Sequence, residues 1–549
     1  MPLMIDSSED RARTRSLVAA PGGVVASESV LASQVGARVL ESGGNATDAA
    51  VAANAMLGLI APMNNGVGGD LFAIVYEAST GQLHGLNASG WAPATLSAEW
   101  LRRQGCTEMP QQGIHSVTVP GAVEGWNCLL RRFGSRSLAE LLAPAIHYAE
   151  RGFAIEEVVH SYWQASEPTL RADRAAARTY LPDDRVPRVG ERFHNPELAW
   201  TYRQIAAAGP DAFYRGAVAE RILATSAVHA GRLQASDLAD YAAEWVEPIG
   251  TDYRGWTVHE LPPNGQGIAA LEMLNLLEHF PLAEFGHNSA RALHVMIEAK
   301  KLAYADLLHY VGDMRFGNVP VAALKSKAYA AERARAIDPT RAADVRSPGA
   351  MTGTDHGTTY LAVGDRAGNL VSLIQSNFAS VGFGAGLAVE GAGFVLQNRG
   401  ALFTLASGLA NTLAGRKRSL HTIIPGFLSK GETRIAFGVM GGWNQAQAHA
   451  QFVSNVVDFG LNIQAALDAP RFCKDTFEGR DVNLEARIPP SVRQALATLG
   501  HEILVRGEFS SVRMGAGQAV AWDPELSMWL AASDARKDGA AIGALETWS

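Results

Sequence analysis

Cysteine is scarce in this sequence, and the scarcity limits both the chemistry and the location of the protein. The chain has 549 residues but only 3 cysteines, Cys106, Cys128 and Cys473. They form no Cys-x-x-Cys pair and no metal-binding spacing. An odd number of dispersed cysteines favours a reducing compartment over a disulfide framework. We therefore expect no structural disulfide and a cytoplasmic location.

Long apolar runs and an excess of positive charge are also missing. No stretch of about 18 apolar residues occurs, so a membrane span is not expected. The first residues, "MPLMIDSSEDRARTRSL", carry acids and arginines where a signal peptide has an apolar core. The net charge is −8 and the pI is near 6.0, whereas a nucleic-acid binder needs a concentrated basic face. We expect neither a membrane nor a nucleic acid as a partner.

What the sequence does contain is a large apolar fraction arranged in two different patterns. Apolar residues make up 47% of the chain, enough for a substantial core. Residues 28–62 predict two helices separated by a Gly-Gly-Asn break, 70–89 predict a β-hairpin, and 137–338 are rich in amphipathic helices. After a polar link at 338–357 the pattern changes to strands, predicted at 358–363, 369–376, 392–398 and 433–440. We interpret the two parts as one core with a possible cut between them.

The first strand after the polar link begins with two threonines, Thr358 and Thr359, preceded by Gly357. β-Propensity alone explains many such pairs. The alternative is chemical, because a threonine at the start of a chain can use its own α-amine as the base that activates its hydroxyl. That amine titrates at about 7.7–8.0, near the pH at which general bases work. The alternative requires cleavage between Gly357 and Thr358.

A second candidate feature is the pair Gly441-Gly442 between a predicted strand and an amphipathic helix. Backbone N–H groups at such a junction bind developing negative charge, although a simple strand-to-helix turn has the same pattern. The sequence contains no Gly-x-Ser-x-Gly elbow, P-loop or His-Glu-x-x-His motif, and its 15 histidines show no ligand spacing. We expect no metal and no cofactor, and we interpret His115 and His294 as structural.

Nine motifs, in order and over nearly the whole chain, resemble those of the gamma-glutamyltranspeptidases. This family is a branch of the N-terminal-nucleophile hydrolases. The resemblance implies an α+β fold, a four-layer αββα sandwich with a helix-rich large-subunit region. It also implies self-cleavage into a large subunit, 1–357, and a small subunit, 358–549. The motifs include "GGNATDAAVAANAMLGLIAP", "GVGGDLFAIVYEASTGQ", "SVTVPGAVEGW", "LPPNGQGIAALEMLNLLE", "LVSLIQSNF", "GFVLQNRGALF" and "GVMGGWNQAQAHAQFVSNVVDFG".

By position in these motifs, the resemblance makes Thr358 the nucleophile. Ser376 falls where the family has a threonine whose hydroxyl supports the nucleophile. Gly441 and Gly442 fall on the glycine pair that lines the family's oxyanion site. The resemblance thus agrees with the chemical interpretation of the threonine pair and of the glycine pair.

Departures from the family pattern concern the substrate. Ser89 occupies the place of an arginine that holds the glutamyl α-carboxylate, and Leu402 that of an aspartate that holds the α-amino group. His421-Thr422 replaces a serine pair near the oxyanion. These variants look more like the branch that contains cephalosporin (glutaryl) acylases and oxamate amidohydrolase. Arg399, helped by Asn377 and His421, is our candidate for binding a substrate carboxylate; pairing with a core carboxylate is its structural alternative.

The sequence therefore predicts a self-processing N-terminal-threonine amidohydrolase. Its expected substrate is a small amide whose acyl group bears a carboxylate, such as an oxamate-like or glutaryl amide. One alternative is a gamma-glutamyl hydrolase or transferase acting on glutathione-like substrates, and another is an unprocessed, inactive binding relative. The expected protein partners are the two subunits of the cleaved chain, with a further homo-oligomer possible.

Overall fold

The computed structural model describes residues 14–344, 357–378 and 382–546. Most of the predicted polar link lies outside the described residues. In the described ranges the chain forms two large sheets of seven strands each, a three-stranded sheet and a two-stranded sheet. No helix in these ranges is long and apolar enough to cross a membrane.

The strands follow one another along the chain in an order quite different from their order in the sheets. In chain order they are β1 (Val18–Ala20), β2 (Gly23–Ser27), β3 (Asp70–Glu77), β4 (Gln82–Ala88), β5 (Phe153–Ala154), β6 (Arg192–Phe193), β7 (Glu244–Val246), β8 (Ile249–Tyr253), β9 (Trp256–Glu260), β10 (Gly357–Asp365), β11 (Leu370–Phe378), β12 (Gly426–Lys430), β13 (Thr433–Val439), β14 (Phe472–Cys473), β15 (Asp481–Glu485), β16 (Glu502–Arg506), β17 (Gly517–Asp523), β18 (Met528–Ser533) and β19 (Ala540–Gly543).

Most of the α-helices lie before β10 in the chain. In chain order they are α1 (Val30–Glu41), α2 (Ala46–Ile60), α3 (Ala98–Arg103), α4 (Ala122–Phe133), α5 (Leu138–Arg151), α6 (Glu157–Ala165), α7 (Glu167–Arg171), α8 (Arg174–Tyr180), α9 (Pro196–Ala208), α10 (Pro210–Tyr214), α11 (Ala217–Val228), α12 (Ala235–Ala239), α13 (Gly267–Leu277), α14 (Leu282–Phe285), α15 (Ala290–Tyr310), α16 (Val321–Leu324), α17 (Lys327–Ala334), α18 (Gln445–Val457), α19 (Ile463–Asp468), α20 (Pro490–Thr498) and α21 (Ser511–Met514). Short 3₁₀ turns cover Arg399–Leu402 and Gly442–Asn444.

The two large sheets face each other and helices cover their outer sides. One sheet has the order β19-β2-β10-β11-β3-β4-β7, and the other has the order β1-β18-β17-β13-β12-β9-β8. Side chains from both sheets, among them Phe72, Tyr360, Phe427 and Trp529, form the core between them. Two further cores join the first sheet to helices such as α2, α5 and α9, and the second sheet to α13, α15 and α18. This is the four-layer αββα sandwich that the resemblance implied.

Strands β10 and β11 lie at the centre of the first sheet and are buried along their whole length. Burial on both faces explains why their sequences are apolar without alternation. The predicted helix pair at 28–62 and the hairpin at 70–89 are confirmed as α1, α2, β3 and β4. The strand predicted at 392–398 is wrong, since that segment has only an isolated bridge between Ala388 and Val395. The hairpin β8–β9 within the helix-rich part was not predicted.

Candidate active site

Thr358 lies at the start of the central strand β10, next to a local irregularity in the pairing with β11. Gly357 pairs with Phe378 and Thr359 pairs with Gln375, and the register shifts between the two pairs. A bulge of this kind re-aims a side chain at the end of a strand. Thr358 is buried, with 2% of its surface exposed.

Gly357 is tightly enclosed by the turn that follows α2. A Cβ atom built on it would lie 2.7 Å from the carbonyl oxygen of Met63 and 3.1 Å from both the Cα and the Oδ1 of Asn64. Any larger residue would push this turn away from the strand. The glycine before Thr358 is therefore required by close packing.

The Ser376 hydroxyl connects Thr358 to its surroundings. Thr358 Oγ1 donates to Ser376 Oγ at 3.2 Å, and Ser376 Oγ donates to the carbonyl oxygen of Gly357 at 2.8 Å. The N–H of Phe378 also donates to Ser376 Oγ, at 2.8 Å, and fixes its position. The expected contact between Ser376 and Thr358 is confirmed, and the same hydroxyl reaches the carbonyl of the peptide bond that precedes Thr358.

Arg399 reaches the same hydroxyl from the 3₁₀ turn Arg399–Leu402. Its Nη2 donates to Ser376 Oγ at 2.9 Å and its Nη1 donates to Thr422 Oγ1 at 2.7 Å. The guanidinium lies over the ring of Phe378, with Cζ 4.5 Å from the ring centroid. Nε has no hydrogen-bond partner. The Ser376 hydroxyl thus links Arg399 to Thr358, and the Nε–H of Arg399 makes no hydrogen bond within the described residues.

The charge of Arg399 is buried, and it has no ion-pair partner among the described residues. The side chain is fully buried, and within the described ranges no carboxylate oxygen lies within the 4.0 Å that defines an ion pair with it. Burial lowers the pKa of Arg399 to about 9, and the charge of Asp70 opposes this shift. The guanidinium remains charged at neutral pH. The alternative in which Arg399 pairs with a core carboxylate finds no support here.

His421 pairs with Asp70, the first residue of β3. His421 Nε2 lies 2.9 Å from Asp70 Oδ2, and the N–H of Ile423 donates to His421 Nδ1 at 3.3 Å. Since Nδ1 accepts, Nε2 carries the proton and donates to the carboxylate. Burial, followed by the charge of Arg399, lowers the pKa of His421 to about 3. His421 is therefore neutral, and both of its ring nitrogens are engaged.

The Gly441-Gly442 pair forms the turn between β13 and α18. Gly441 has φ 131° and Gly442 has φ 57°, conformations that glycine adopts without strain. The Nε2 of Gln266 donates to the carbonyl of Gly442 at 2.8 Å and to that of Thr422 at 2.5 Å. These bonds tie the glycine turn to the segment that carries His421 and Thr422.

Close packing holds β13, which leads into the glycine turn, against the strand of Thr358. A Cβ built on Gly438 would lie 2.4 Å from ring atoms of Tyr360. Gly438 is three residues before Gly441, and Tyr360 is two residues after Thr358. The glycine turn therefore follows a strand of one sheet that packs against the strand of Thr358 in the other sheet.

The structure brings together some of the predicted site residues and separates others. Thr358, Ser376, Arg399 and Thr422 are joined by hydrogen bonds. The Nδ2 of Asn377, in contrast, donates to the carbonyl of Pro62 at 3.1 Å. The hydroxyl of Ser89 donates to Asn87 Oδ1 at 2.7 Å and accepts from Asn264 at 3.3 Å. Neither Asn377 nor Ser89 makes a hydrogen bond to Arg399.

Two residues of the site were missed by sequence analysis, Asp70 and Gln266. Asp70 holds His421 and also accepts from the N–H of Gly90 and from Gln397 Nε2, each at 2.8 Å. Asp70 ends the motif "GVGGD" and Gln266 lies in the motif "LPPNGQG". Sequence analysis used both motifs for the family resemblance and assigned no role to either residue. Their positions could have indicated a role in the site, because Asp70 directly follows Gly68-Gly69 and Gln266 lies between two glycines.

His294 is buried, and both of its ring nitrogens have hydrogen-bond partners. Its Nδ1 is 2.8 Å from His501 Nε2 and its Nε2 is 2.8 Å from the carbonyl of Asp338. Glu298 lies in the same buried group, but its carboxylate accepts from Lys301 Nζ at 2.7 Å. The ammonium of Lys301 therefore neutralises the charge of this carboxylate.

Two facing sheets between helical layers, with a threonine at the start of a central strand, are the architecture of the N-terminal-nucleophile hydrolases. The family model described as gamma-glutamyltranspeptidase matches residues 32–544. This chain therefore belongs to the gamma-glutamyltranspeptidase family, whose members are amide-bond hydrolases and acyltransferases.

Individual relatives cover almost the whole chain. The glutathione hydrolase-like YwrD proenzyme of Bacillus subtilis (strain 168) is 34% identical over 95% of this chain and 98% of its own length. The acylase ACY 1 proenzyme of Pseudomonas sp. (strain SE83) is 34% identical over 92% of this chain and 90% of its own. The crystal structure of cephalosporin acylase from Bacillus halodurans is similar with a TM-score of 0.91 and 41% identity, over 99% of both chains.

Proposed function

We propose that the chain cuts itself between Gly357 and Thr358 and that Thr358 is the nucleophile of the mature enzyme. The subunits would be 1–357 and 358–549. The hydrogen bond from Ser376 to the Gly357 carbonyl oxygen supports this position, because a donor there stabilises negative charge on the carbonyl under attack. The relatives above are described as proenzymes, in agreement with such a step.

Self-cleavage begins when Thr358 Oγ1 attacks the carbonyl carbon of Gly357. The hydroxyl proton passes to the nitrogen of Thr358 as the peptide C–N bond breaks, so that an ester forms between Gly357 and the threonine oxygen and the nitrogen becomes a free amine. Water then hydrolyses the ester, leaving a carboxylate on Gly357 and a hydroxyl on Thr358. Arg399 strengthens the donor Ser376, since its guanidinium holds the Ser376 oxygen at 2.9 Å.

In turnover the Thr358 hydroxyl attacks the amide carbonyl of the substrate and passes its proton to the α-amine of the same residue. The N–H groups of Gly441 and Gly442 stabilise the oxyanion. The proton then goes to the leaving amine as the C–N bond breaks, and an acyl ester of Thr358 remains. Water attacks this ester, releases the acid and restores the hydroxyl.

We infer that the acyl group carries a carboxylate that binds to Arg399. The buried charge of Arg399, without a carboxylate partner in the described ranges and with Nε unpaired, is the observation that supports this inference. A buried charge is strongly favoured to acquire a counter-ion. Thr422, bonded to Nη1, is positioned to help, whereas His421 is engaged by Asp70 and Asn377 by Pro62.

The proposed substrates are small amides such as oxamate-like or glutaryl amides. The similarity to a structure described as a cephalosporin acylase favours an acylase over a glutathione hydrolase. A gamma-glutamyl hydrolase or transferase is the second candidate, and the similarity to a glutathione hydrolase-like protein favours it. Leu402, which is buried in an apolar core, offers no charge to a substrate ammonium and weighs against this candidate.

A panel of amides tests the substrate class. Purified, self-cleaved protein should hydrolyse oxamate and glutaryl anilide with a higher kcat/KM than gamma-glutamyl anilide, because the latter buries an ammonium without a partner. A preference for gamma-glutamyl anilide would reverse the choice between the two candidates.

A cytoplasmic location remains part of the proposal, and the three cysteines, none of which forms a disulfide, are consistent with it.

A further inference from the structure

The turn that encloses Gly357 contains a buried amide whose oxygen has no partner. Asn64 is 1% exposed, and its Oδ1 makes no hydrogen bond to any residue that the structure describes. This oxygen lies 3.1 Å from the position of a Cβ built on Gly357. Asn64 Oδ1 therefore faces the residue that would leave on self-cleavage.

The orientation of Asn64 is fixed by its other polar groups. Its Nδ2 donates to Glu28 Oε1 at 3.4 Å. Its carbonyl accepts from the N–H of Asn377 at 2.9 Å, and its own N–H donates to Ala61 at 2.9 Å. Glu28 is in turn 3.4 Å from Lys537 Nζ. With the nitrogen turned toward Glu28, the oxygen must point toward Gly357.

Charged groups approach this turn from several elements. Glu28 lies between β2 and α1, and burial raises its pKa while Lys537 opposes the shift. Behind it Glu156 accepts from Ser29 at 2.7 Å, and Asp538 caps the start of α6 through the N–H groups of Val158 and Val159. Ser376, which donates to the carbonyl of Gly357, also accepts from Arg399 and is the strand partner of Asp70.

We propose that Asn64 Oδ1 binds the α-amine of Thr358 once Gly357 has left. In the uncut chain this nitrogen is bonded directly to the carbonyl carbon of Gly357, so it is next to the space that Gly357 vacates. An N–H donated to Asn64 Oδ1 leaves the nitrogen lone pair directed at the Thr358 hydroxyl, as a general base requires. Asn64 is thus a positioning residue, and Glu28 holds its amide. This inference rests on the proposed cleavage site.

The inference has a consequence for the basicity of the new amine. An amide oxygen that accepts from the amine stabilises the charged form more than the neutral form and raises its pKa. Replacing Asn64 with aspartate would place a negative charge at the same position. A negative charge within hydrogen-bonding distance of an amine typically raises the pKa of that amine by about 1 unit or more. Removing the side chain should lower the amine's pKa.

The experiment measures that basicity directly. Wild type, Asn64→Asp and Asn64→Ala are purified after self-cleavage, and acylation of the α-amine of the small fragment by acetic anhydride is followed by mass spectrometry as a function of pH. We expect the pH of half-maximal acylation to rise by about 1 unit in Asn64→Asp and to fall in Asn64→Ala. The kcat/KM profile for a good substrate should shift in the same directions.

Asn65→Ala is the matched control. Asn65 is a buried amide of the same turn, but its Nδ2 is held by the carbonyls of Leu57 and Ala61, at 3.0 and 3.1 Å. The pH of half-maximal acylation in Asn65→Ala should equal that of wild type. Equal midpoints in wild type and both Asn64 variants would overturn the inference. So would failure of both Asn64 variants to self-cleave while Asn65→Ala does, since Asn64 would then act before the cut. A wild-type fragment that does not begin at Thr358 would instead refute the proposed function.

Discussion

The Ser376 hydroxyl donates a hydrogen bond to the carbonyl oxygen of Gly357 at 2.8 Å. This carbonyl belongs to the peptide bond that precedes Thr358, and Thr358 Oγ1 is 3.2 Å from the same hydroxyl. One side chain, Ser376, therefore donates to the carbonyl oxygen of Gly357 and accepts from the Thr358 hydroxyl. The uncut chain already has a donor in place for the charge that self-cleavage would develop.

Replacing Ser376 with alanine should slow self-cleavage strongly. Loss of one donor to a developing oxyanion typically costs about 10²-fold or more in rate. The measurement is the fraction of intact chain over time after purification. Ser372→Ala is the control, because Ser372 lies on the same strand and its hydroxyl bonds to Tyr360 instead. Equal rates in the two variants would show that Ser376 is only a strand residue.

Gly357→Ala should impair the same step through packing. The added Cβ would meet the Met63 carbonyl oxygen at 2.7 Å, which displaces the scissile bond or the turn. Overpacking of this kind costs about 1–3 kcal/mol, and we expect self-cleavage to slow by at least about 10-fold. Gly317→Ala is a fair comparison, since a Cβ there meets nothing within 4 Å. Cleavage of Gly357→Ala at the wild-type rate would contradict the packing argument.

Arg399→Ala should raise KM for acidic amides. Hydrogen bonds to charged groups contribute about 1.5–3 kcal/mol, which corresponds to a rise of about 10- to 100-fold. The methyl ester of a glutaryl anilide serves as a neutral comparison, and its KM should change little. Rates are normalised to the cleaved fraction, because Arg399 also contacts Ser376. An equal effect on the acid and on its ester would assign Arg399 a structural role.

His421 makes the folded protein sensitive to acid. Its pKa is lowered to about 3 in the folded state, whereas an unfolded histidine titrates near about 6.5. Between these values the unfolded state binds one more proton, so the free energy of unfolding falls as pH falls, by up to about 1.4 kcal/mol per unit. The melting temperature of His421→Gln should therefore decline less than that of wild type between pH 7 and pH 5. Parallel declines would contradict the assignment of a neutral, buried His421.

The central elements of the site could be predicted because they lie in contiguous motifs. Thr358 starts a strand and Ser376 lies on the next one, so a hairpin brings them together. The pairing of His421 with Asp70 joins residues 351 positions apart, and nothing local in either segment indicates it. Sequence analysis could therefore offer His421 as a substrate ligand although its ring is already engaged.

The wrong strand at 392–398 has a similar cause. Its apolar pattern is that of a buried strand, but the carbonyl of Gly393 accepts from Asn195 Nδ2 at 2.8 Å and from the Tyr180 hydroxyl at 3.0 Å. Its other backbone bonds go to several loops: the carbonyl of Leu396 accepts from the N–H of Ala385 at 2.8 Å, and the N–H of Gln397 donates to the carbonyl of Gly68 at 3.0 Å. The segment is buried, but its backbone hydrogen bonds are divided between nearby loop residues and distant side chains, and a local apolar pattern does not indicate this arrangement.

The most direct test of the account is the amino-terminal sequence of the smaller fragment of purified protein. We predict Thr358-Thr359-Tyr360, with Thr359→Ala cleaved at the same bond and Thr358→Ala left intact and inactive. Thr359 is the matched control, because it is the adjacent buried threonine and its hydroxyl has no hydrogen-bond partner. A fragment that begins elsewhere, or an intact chain with full amidase activity, would contradict the claim that Thr358 is the nucleophile.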